Sequence, residues 1–234
     1  MIRKGMDGIH WLEFELFAEQ KDLVHGIFLR QDDIYSGPAD LNRRRMLNAL
    51  NIPRAVSCVQ VQGDRVVHVS EDFKNTEECD GLITKESELA LMIRHADCQA
   101  AIFYDPIHKA LANVHSGWRG NVKNIYRTTV EKMAFEFGTS PQDLLVGVSP
   151  SLGPKNSEFK NFRQELPEAF WEFQIKPEYF DLWAIARWQL EQCGILSSHI
   201  QIAQVCTYEN EQDFYSYRRD KTRYKNHATL AMLL

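Results

Sequence analysis

Leu89-Ala-Leu-Met-Ile-Arg-His-Ala-Asp-Cys98 leads almost directly into Ala100-Ala-Ile-Phe-Tyr104. Asp105-Pro106 then separates these runs from Ala110-Leu-Ala-Asn-Val-His115-Ser-Gly-Trp-Arg-Gly120. Short apolar runs broken by turn residues are the pattern of adjacent strands in a central sheet. The period changes after Gly120. Ile125, Tyr126, Val130, Met133, Ala134 and Phe137 fall on one helical face, so the spacing predicts a helix over Val122–Phe137 that stops at Gly138.

Working outward from this stretch, Ala55–Gln62 and Arg65–Ser70 around Gly63-Asp64 predict a hairpin, and Leu82-Ile-Thr84 a further strand. Leu144–Val148, running into Ser149-Pro-Ser-Leu-Gly-Pro154, His199–Val205 and Ala228–Leu234 complete the strands. A second long helix is predicted over Leu182–Cys193, with Asp181 as N-cap and Gly194 as stop. A shorter one over Pro38–Leu50 would bring Asn42 and Arg45 within one turn of each other. This order predicts a mixed α/β or α+β domain. Hairpin-length links favour antiparallel pairs, and the helix after His115 permits a parallel crossover.

The chain has 234 residues, a formal charge of −5, 44% hydrophobic and 25% charged residues, and includes 13 Phe and 5 Trp. That composition offers enough apolar surface for a core, and no Pro-, Gly- or Ser-rich linker interrupts it, so a single domain over 1–234 is expected. The mildly acidic balance, with Arg43–Arg45 the only basic run, excludes the electrostatic footprint of duplex nucleic acid or an anionic membrane. The five cysteines are scattered, without Cys-x-x-Cys spacing, as in reduced thiols. Neither a signal-like apolar start nor a bilayer-length apolar stretch is present, so a cytoplasmic protein is expected. The sequence assigns no oligomeric state and is compatible with a monomer.

Cys98 and His115 are delivered to two strand ends. Thiolate and imidazole are both good zinc ligands, although a cysteine is as readily an inert apolar residue and a histidine a satisfied hydrogen bonder. Gly117 and Gly120 precede a helix whose first amides would attract an anion, and Arg119 could add a bidentate contact to phosphate. The competing reading has glycines relieving crowding and an outward arginine. Phe214-Tyr-Ser-Tyr-Arg-Arg219 pairs aromatic rings for a planar ligand, Tyr217 among them, with Arg218, or else forms a wet edge strand. Cys206 fits the core better than a nucleophile's place.

Together these motifs resemble the YfiH family, also described as the multicopper polyphenol oxidase or laccase-domain family and related to the mammalian purine nucleoside enzyme FAMIN. The resemblance runs through His25-Gly26 with Arg30, Asn42-Arg43, Gln60-Val-Gln-Gly63, Asp80-Gly-Leu-Ile-Thr84, Ala96-Asp-Cys98, His115-Ser-Gly-Trp-Arg-Gly120, Cys206-Thr207 and Phe214–Arg219. It implies an α+β fold, a CNF1/YfiH-like α-β-β-α sandwich with mixed β-sheets. It also implies a zinc-dependent purine nucleoside phosphorylase acting on adenosine, inosine, guanosine and methylthioadenosine with inorganic phosphate, together with adenosine deamination. The implied zinc ligands are Cys98, His115 and the residue at position 62. The family has histidine there and this chain has Gln62, a neutral amide and a weaker donor.

Three outcomes follow: Gln62 ligates weakly, His68, His95 or His25 takes its place, or the metal is dropped. Strand parity disfavours His95. In the implied reaction Arg43, Gly117, Arg119, Gly120, Tyr217 and Arg218 hold phosphate and substrate. His25 transfers a proton, or else anchors its strand by a structural hydrogen bond. Asp97 orients neighbouring groups, which needs a bend or strand end beside Cys98. Other departures are Gln99-Ala100 where relatives often carry a proline two residues after the cysteine, Lys221–Lys225 in place of a Thr-Gly-Arg run, and a short stretch between Gly37 and Asn42.

Two alternatives stand beside the phosphorylase. One is a thiol hydrolase or amidase with Cys98 as nucleophile and His115 as base, for which the sequence shows no oriented third residue. The other is a catalytically retired nucleoside-binding protein. Copper-dependent phenol oxidation ranks below all three, because the sequence lacks the dense histidine pattern it would require.

Overall fold

In the computed structural model, residues 1–30, 39–70, 73–222 and 225–234 are described, residues 39–42 by their backbone alone. The chain opens with β1 (Ile2–Met6), β2 (Ile9–Glu13) and β3 (Leu23–Phe28), followed by helix α1 (Ala39–Ala49). Next come β4 (Arg54–Val56), β5 (Val66–His68), β6 (Gly81–Thr84), β7 (Leu89–His95), β8 (Gln99–Asp105) and β9 (Ala110–Ser116). Helices α2 (Trp118–Val122) and α3 (Ile125–Phe137) lead to β10 (Leu145–Val148) and α4 (Phe162–Glu165). A small β11 (Gln174–Lys176) and β12 (Tyr179–Phe180) pair precedes α5 (Leu182–Gln192), β13 (Ile200–Ile202), α6 (Tyr217–Asp220) and β14 (His227–Leu233).

The strands form two six-stranded mixed sheets, ordered β1-β2-β3-β14-β7-β4 and β13-β10-β8-β9-β6-β5. The pairs β4–β7, β5–β6 and β10–β13 are parallel and the other neighbours antiparallel. Alternation along each strand assigns its faces. Leu91 and Ile93 of β7 meet Ile102, Tyr104 and Leu111 of the second sheet in the central core, whereas Ala90 and Met92 turn outward onto Met46 and Ala49 of α1. On the far side Ala101, Phe103, Ala112 and Val114 pack on Ile125, Tyr126 and Met133 of α3 and on Ala186 and Leu190 of α5. The layers therefore run helix, sheet, sheet, helix. All seven residues of β8 and of β9 are buried, which explains their continuous rather than alternating apolar character. Asn113 ties the sheets together, its amide donating to the carbonyls of Leu91 and Thr229 at 2.9 Å each.

Helix boundaries follow local chemistry. Asp181 accepts hydrogen bonds from the amides of Trp183 and Ala184, both at 3.0 Å, and caps α5. Gly138 closes α3 at φ +74°, a left-handed conformation that favours glycine. The predicted Val122–Phe137 helix is split at Asn124, which has φ 58° and caps α3 by accepting from the Arg127 amide at 3.2 Å.

The structure corrects the strand reading in two places. Residues 55–70 do not form a hairpin: β4 joins the first sheet beside β7, and β5 joins the second beside β6. The segment between them bends around the buried carboxylate of Asp80, which offers its amides better partners than a facing strand. The runs before and after Cys98 also part company, β7 entering one sheet and β8 the other. The crossover after His115 places β10 beyond β8, not beside β9. The short stretch from Gly37 and the 221–225 departure fall partly outside the described residues, and so does the Asn42 side chain.

Candidate functional site

The crossing between the sheets builds the site. Ala96-Asp97-Cys98 spans from the end of β7 to the start of β8, and Asp97 takes φ 72°, a left-handed conformation that turns the chain out of the strand. This is the bend that a role for Asp97 requires. Its carboxylate accepts from the Thr207 hydroxyl (2.7 Å), the Ser216 hydroxyl (3.0 Å) and the Arg218 amide (2.6 Å). Asp97 thereby pins the loop after Cys206 and the start of α6 against the Cys98 turn. These donors make it an organiser of the wall and not a general acid or base.

His115 lies on β9 with the inward parity of Leu111 and Asn113 and is buried. Its Nδ1 bonds Asp80 Oδ1 at 2.8 Å, which directs the other ring nitrogen to Cys98. Burial alone would lower the pKa of this imidazole. The electrostatic pull of the neighbouring Cys98 sulfur and the Asp80 hydrogen bond outweigh it and raise the pKa to about 9. Asp80 is completely buried, and it also accepts from the amides of Val61 (3.2 Å), Gln62 (3.1 Å) and Gly63 (2.6 Å). Burial pushes its carboxyl up, but the hydrogen bonds from His115 and Gly63 prevail and hold it below the usual carboxylate range. The sequence alone assigns Asp80 no role. Its signal was present as an acidic residue directly before a glycine and an apolar strand, but its partners come from three separate segments.

Gln62, at φ 63°, borders the same point as Cys98. A Cβ built on Gly117 would lie 2.4 Å from Gln62 Oε1 and 3.2 Å from Cys98 Sγ, so position 117 must be bare for both to converge. Gly120 approaches the carbonyl of Gly63, where a Cβ would stand at 3.3 Å. The helix that follows Gly117 has five residues, and in this structure both glycines allow close approach of neighbouring segments. Behind α2, Asn121 accepts from Ser116 at 2.7 Å, and Gln99 accepts from Tyr126 at 2.7 Å, a buried network that fixes the turn.

Above Cys98 opens a cavity of about 410 Å³. Cys98 and Ser116 border its inner end, Trp118 and Phe159 one wall, and Tyr217 and Arg218 another. Trp118 and Phe159 meet edge to face at 5.9 Å, and the Arg119 guanidinium lies 4.2 Å over the indole of Trp118. Arg218 reaches the Glu158 carbonyl at 3.3 Å and its carboxylate at 4.0 Å. The Phe214–Arg219 stretch thus supplies a loop and the short α6 rather than an edge strand, with Tyr217 and Arg218 at the cavity as expected.

Other expected residues lie elsewhere. His25 is buried beside Phe14 and Phe17, and its Nε2 accepts from the Phe14 amide at 2.8 Å. Burial lowers its pKa to about 4. It does not border the cavity, so the structural hydrogen bond replaces the proton-transfer role. Arg43 is also away from the cavity and donates to the Ala55 carbonyl. Cys206 is buried, its sulfur accepting from the Gly153 amide at 3.2 Å, and organises a turn.

For zinc, Cys98 and His115 are strong donors and the amide oxygen of Gln62 is the third group at hand. Neither His95, bonded to Thr229 at 2.8 Å, nor His68, paired with Glu136 at 3.3 Å, nor His25 stands in for it. Among the described residues no group of three or more His, Cys, Asp and Glu side chains is assembled to hold a metal. Two strong donors and one neutral oxygen fit a resident zinc ion poorly. No helix among the described residues is long and apolar enough to cross a membrane.

Comparisons with known proteins place the sequence and the fold. The chain is 36% identical over 152 residues to a purine nucleoside phosphorylase of Bacteroides thetaiotaomicron, covering 60% of this chain and 55% of that one. It is 31% identical over 193 residues to the mouse (Mus musculus) purine nucleoside phosphorylase LACC1, covering 76% and 44%. The chain thus spans about half the length of these two relatives. With Cj1217c of Campylobacter jejuni, also named a purine nucleoside phosphorylase, identity is 29% over 204 residues, covering 84% and 87%. The crystal structure of YlmD from Geobacillus stearothermophilus superposes with a TM-score of 0.84 at 25% identity, covering 98% and 97%. Bacillus licheniformis YfiH shares the fold, with a TM-score of 0.83 at 19% identity over 97% of each chain. Residues 36–234 match the family model described as multi-copper polyphenol oxidoreductase laccase, and the chain belongs to that family, the YfiH family its motifs resemble.

Proposed function

We propose that this protein is a purine nucleoside phosphorylase working in the cavity above Cys98. The observation that carries the reading is that Cys98, the sulfur beside the Asp80-held His115, shares one cavity of nucleoside size with Trp118, Phe159, Tyr217 and Arg218. The relatives named as purine nucleoside phosphorylases support the same reaction class.

A phosphate oxygen attacks the anomeric carbon, the bond from that carbon to the base nitrogen breaks, and the base departs with the electron pair. Trp118, Phe159 and Tyr217 offer faces and edges to a planar purine. Arg218, with Arg119 nearby on Trp118, offers planar donors to phosphate. His115, held by Asp80, places positive charge next to Cys98 at the edge of the cavity, where it favours the negative charge that a departing base gains before taking a proton from solvent. Asp97 keeps Arg218 and Cys98 at a fixed separation, so positioning carries much of the rate. Given the donor set at Gln62, no step is drawn through zinc.

Incubation of inosine, guanosine, adenosine and methylthioadenosine with phosphate tests this reading. The expected products are free base and pentose 1-phosphate in equal amounts, and adenosine converted to inosine without phosphate would reveal deamination. Tight nucleoside binding by calorimetry with no product from any of the four would instead identify a retired binding protein.

One observation favours a second reading. Asp80 supplies the oriented third residue that the sequence did not show, so Asp80, His115 and Cys98 stand in the order of a thiol hydrolase. Stoichiometric alkylation of Cys98 at neutral pH, blocked by an amide substrate that is then cleaved, would support it. An alkylated enzyme that still releases base from inosine would remove Cys98 from both readings.

A further inference from the structure

Two buried thiols outside the cavity stand where they bear on it. Cys58 follows β4 and Cys79 precedes Asp80, and the Cys58 thiol donates to the Cys79 carbonyl at 3.1 Å. The backbones are clamped alongside: the Val59 amide donates to the Glu77 carbonyl at 2.9 Å and the Cys79 amide to the Val59 carbonyl at 3.1 Å. A parallel bridge joins Val59 and Glu78. Both cysteines pack in the central core with Val69 and Leu82, yet their neighbours Val59 and Glu78 are exposed, so only one residue of chain separates the pair from solvent.

The thiols also act on each other. The hydrogen bond from Cys58 leads the effects that lower the Cys79 thiol, and the same contact leads those that raise Cys58. The contact therefore favours the charged form at Cys79 and the protonated form at Cys58. Neither residue takes part in the proposed reaction. Yet Cys79 adjoins the carboxylate that holds His115, and Cys58 lies at the root of the segment whose tip, residues 61–63, wraps that carboxylate.

We propose that Cys58 and Cys79 form a redox-sensitive pair that closes to a disulfide under a peroxide and so changes the setting of the Asp80–His115 anchor. The Cys79 thiolate attacks one oxygen of hydrogen peroxide, the O–O bond breaks, and hydroxide leaves to take up a proton as water. The resulting sulfenic acid is attacked by the Cys58 sulfur, the S–S bond forms, and the Cys58 proton leaves with the sulfenic oxygen as a second water. Two thiols are oxidised by two electrons and the peroxide is reduced to two waters. A dithiol reductant reverses the step by exchange. The cross-link draws together two stems whose tips hold one buried carboxylate, so the Asp80 backbone cannot keep its position unchanged.

The test uses the full chain carrying Cys98→Ser, so that the thiol at the cavity does not compete. After hydrogen peroxide, peptide mapping is expected to show Cys58 linked to Cys79, a mass lower by about 2 Da, and reversal by dithiothreitol. The His115 imidazole resonance, followed by NMR, is expected to move on oxidation and return on reduction. Cys58→Ser and Cys79→Ser are each expected to abolish both changes. The proposal is overturned if both thiols survive peroxide that oxidises Cys193, if the linked peptide joins other cysteines, or if the link forms while the His115 resonance stays in place. None of these readouts depends on the phosphorylase reading.

Discussion

His115, at the open end of the sandwich, and His25 and His227, in its interior, are three almost equally buried imidazoles with opposite behaviour. His25 accepts from the Phe14 amide. His227 accepts from the Tyr215 amide at 2.7 Å and donates to the Phe28 carbonyl at 3.0 Å. An imidazole nitrogen that accepts an amide hydrogen cannot also carry a proton, so burial prevails and both pKa values fall to about 4. His115 meets the Asp80 carboxylate and the Cys98 sulfur instead, and its pKa rises to about 9. Burial by itself does not mark a site in this fold. What distinguishes His115 is the sulfur brought in by the crossing turn and the carboxylate of Asp80.

The largest expected effect tests the sulfur neighbour at the cavity. Cys98→Ala should lower base release at least about 100-fold, the scale for loss of a positioned catalytic group, and steady-state rates on inosine check it. Asp80→Asn removes the other neighbour. It should cost about 3 kcal/mol in chemical denaturation by breaking a buried charge pair, and about 10- to 100-fold in turnover by freeing the ring. If Asp80→Asn matched wild type in both, His115 would be no different in kind from His25.

Replacing Gln62 sharpens the same contrast from the metal side. Gln62→His should raise zinc affinity about 10- to 100-fold in competition with a chelating dye, because imidazole replaces an amide oxygen. Equal affinity in both proteins would show that position 62 does not reach the donor pair. Stability against pH separates the two kinds of histidine by sign. His25 and His227 bind protons more weakly folded than unfolded, so their contribution is present above about 6.5 and lost as pH falls through about 4. His115 binds its proton more strongly folded, so its contribution is present below about 6.5 and lost as pH rises through about 9. Denaturant titrations of wild type and His25→Gln should therefore diverge on the acid side, with turnover near neutrality changed by less than about twofold.

The sequence carried the layers further than their connections. Residues 89–120 announced β7, β8, β9 and the helices after them, because apolar runs and a change of period are local signals. The same runs do not say which sheet each strand enters, and the turn at Asp97 that sends β8 into the second sheet depends on Thr207, Ser216 and Arg218, more than a hundred residues away. Cys98 and His115 stand out in the sequence by residue type at two strand ends, and Tyr217 and Arg218 by an aromatic and arginine run that reaches the same cavity as Cys98. Asp80 was not, because its function lies in partners that only the fold assembles. His25 misled for the opposite reason: its residue type suggests proton transfer, and only its hydrogen bond to Phe14 shows otherwise.

The claim on which this account turns is that phosphate itself attacks the sugar in the cavity above Cys98. Wild-type protein supplied with inosine and isotopically labelled phosphate measures this directly. The account predicts labelled oxygen in the bridge between phosphorus and the anomeric carbon, in amounts matching the hypoxanthine released. Hypoxanthine released with free, unphosphorylated ribose, at a rate indifferent to phosphate, would contradict it.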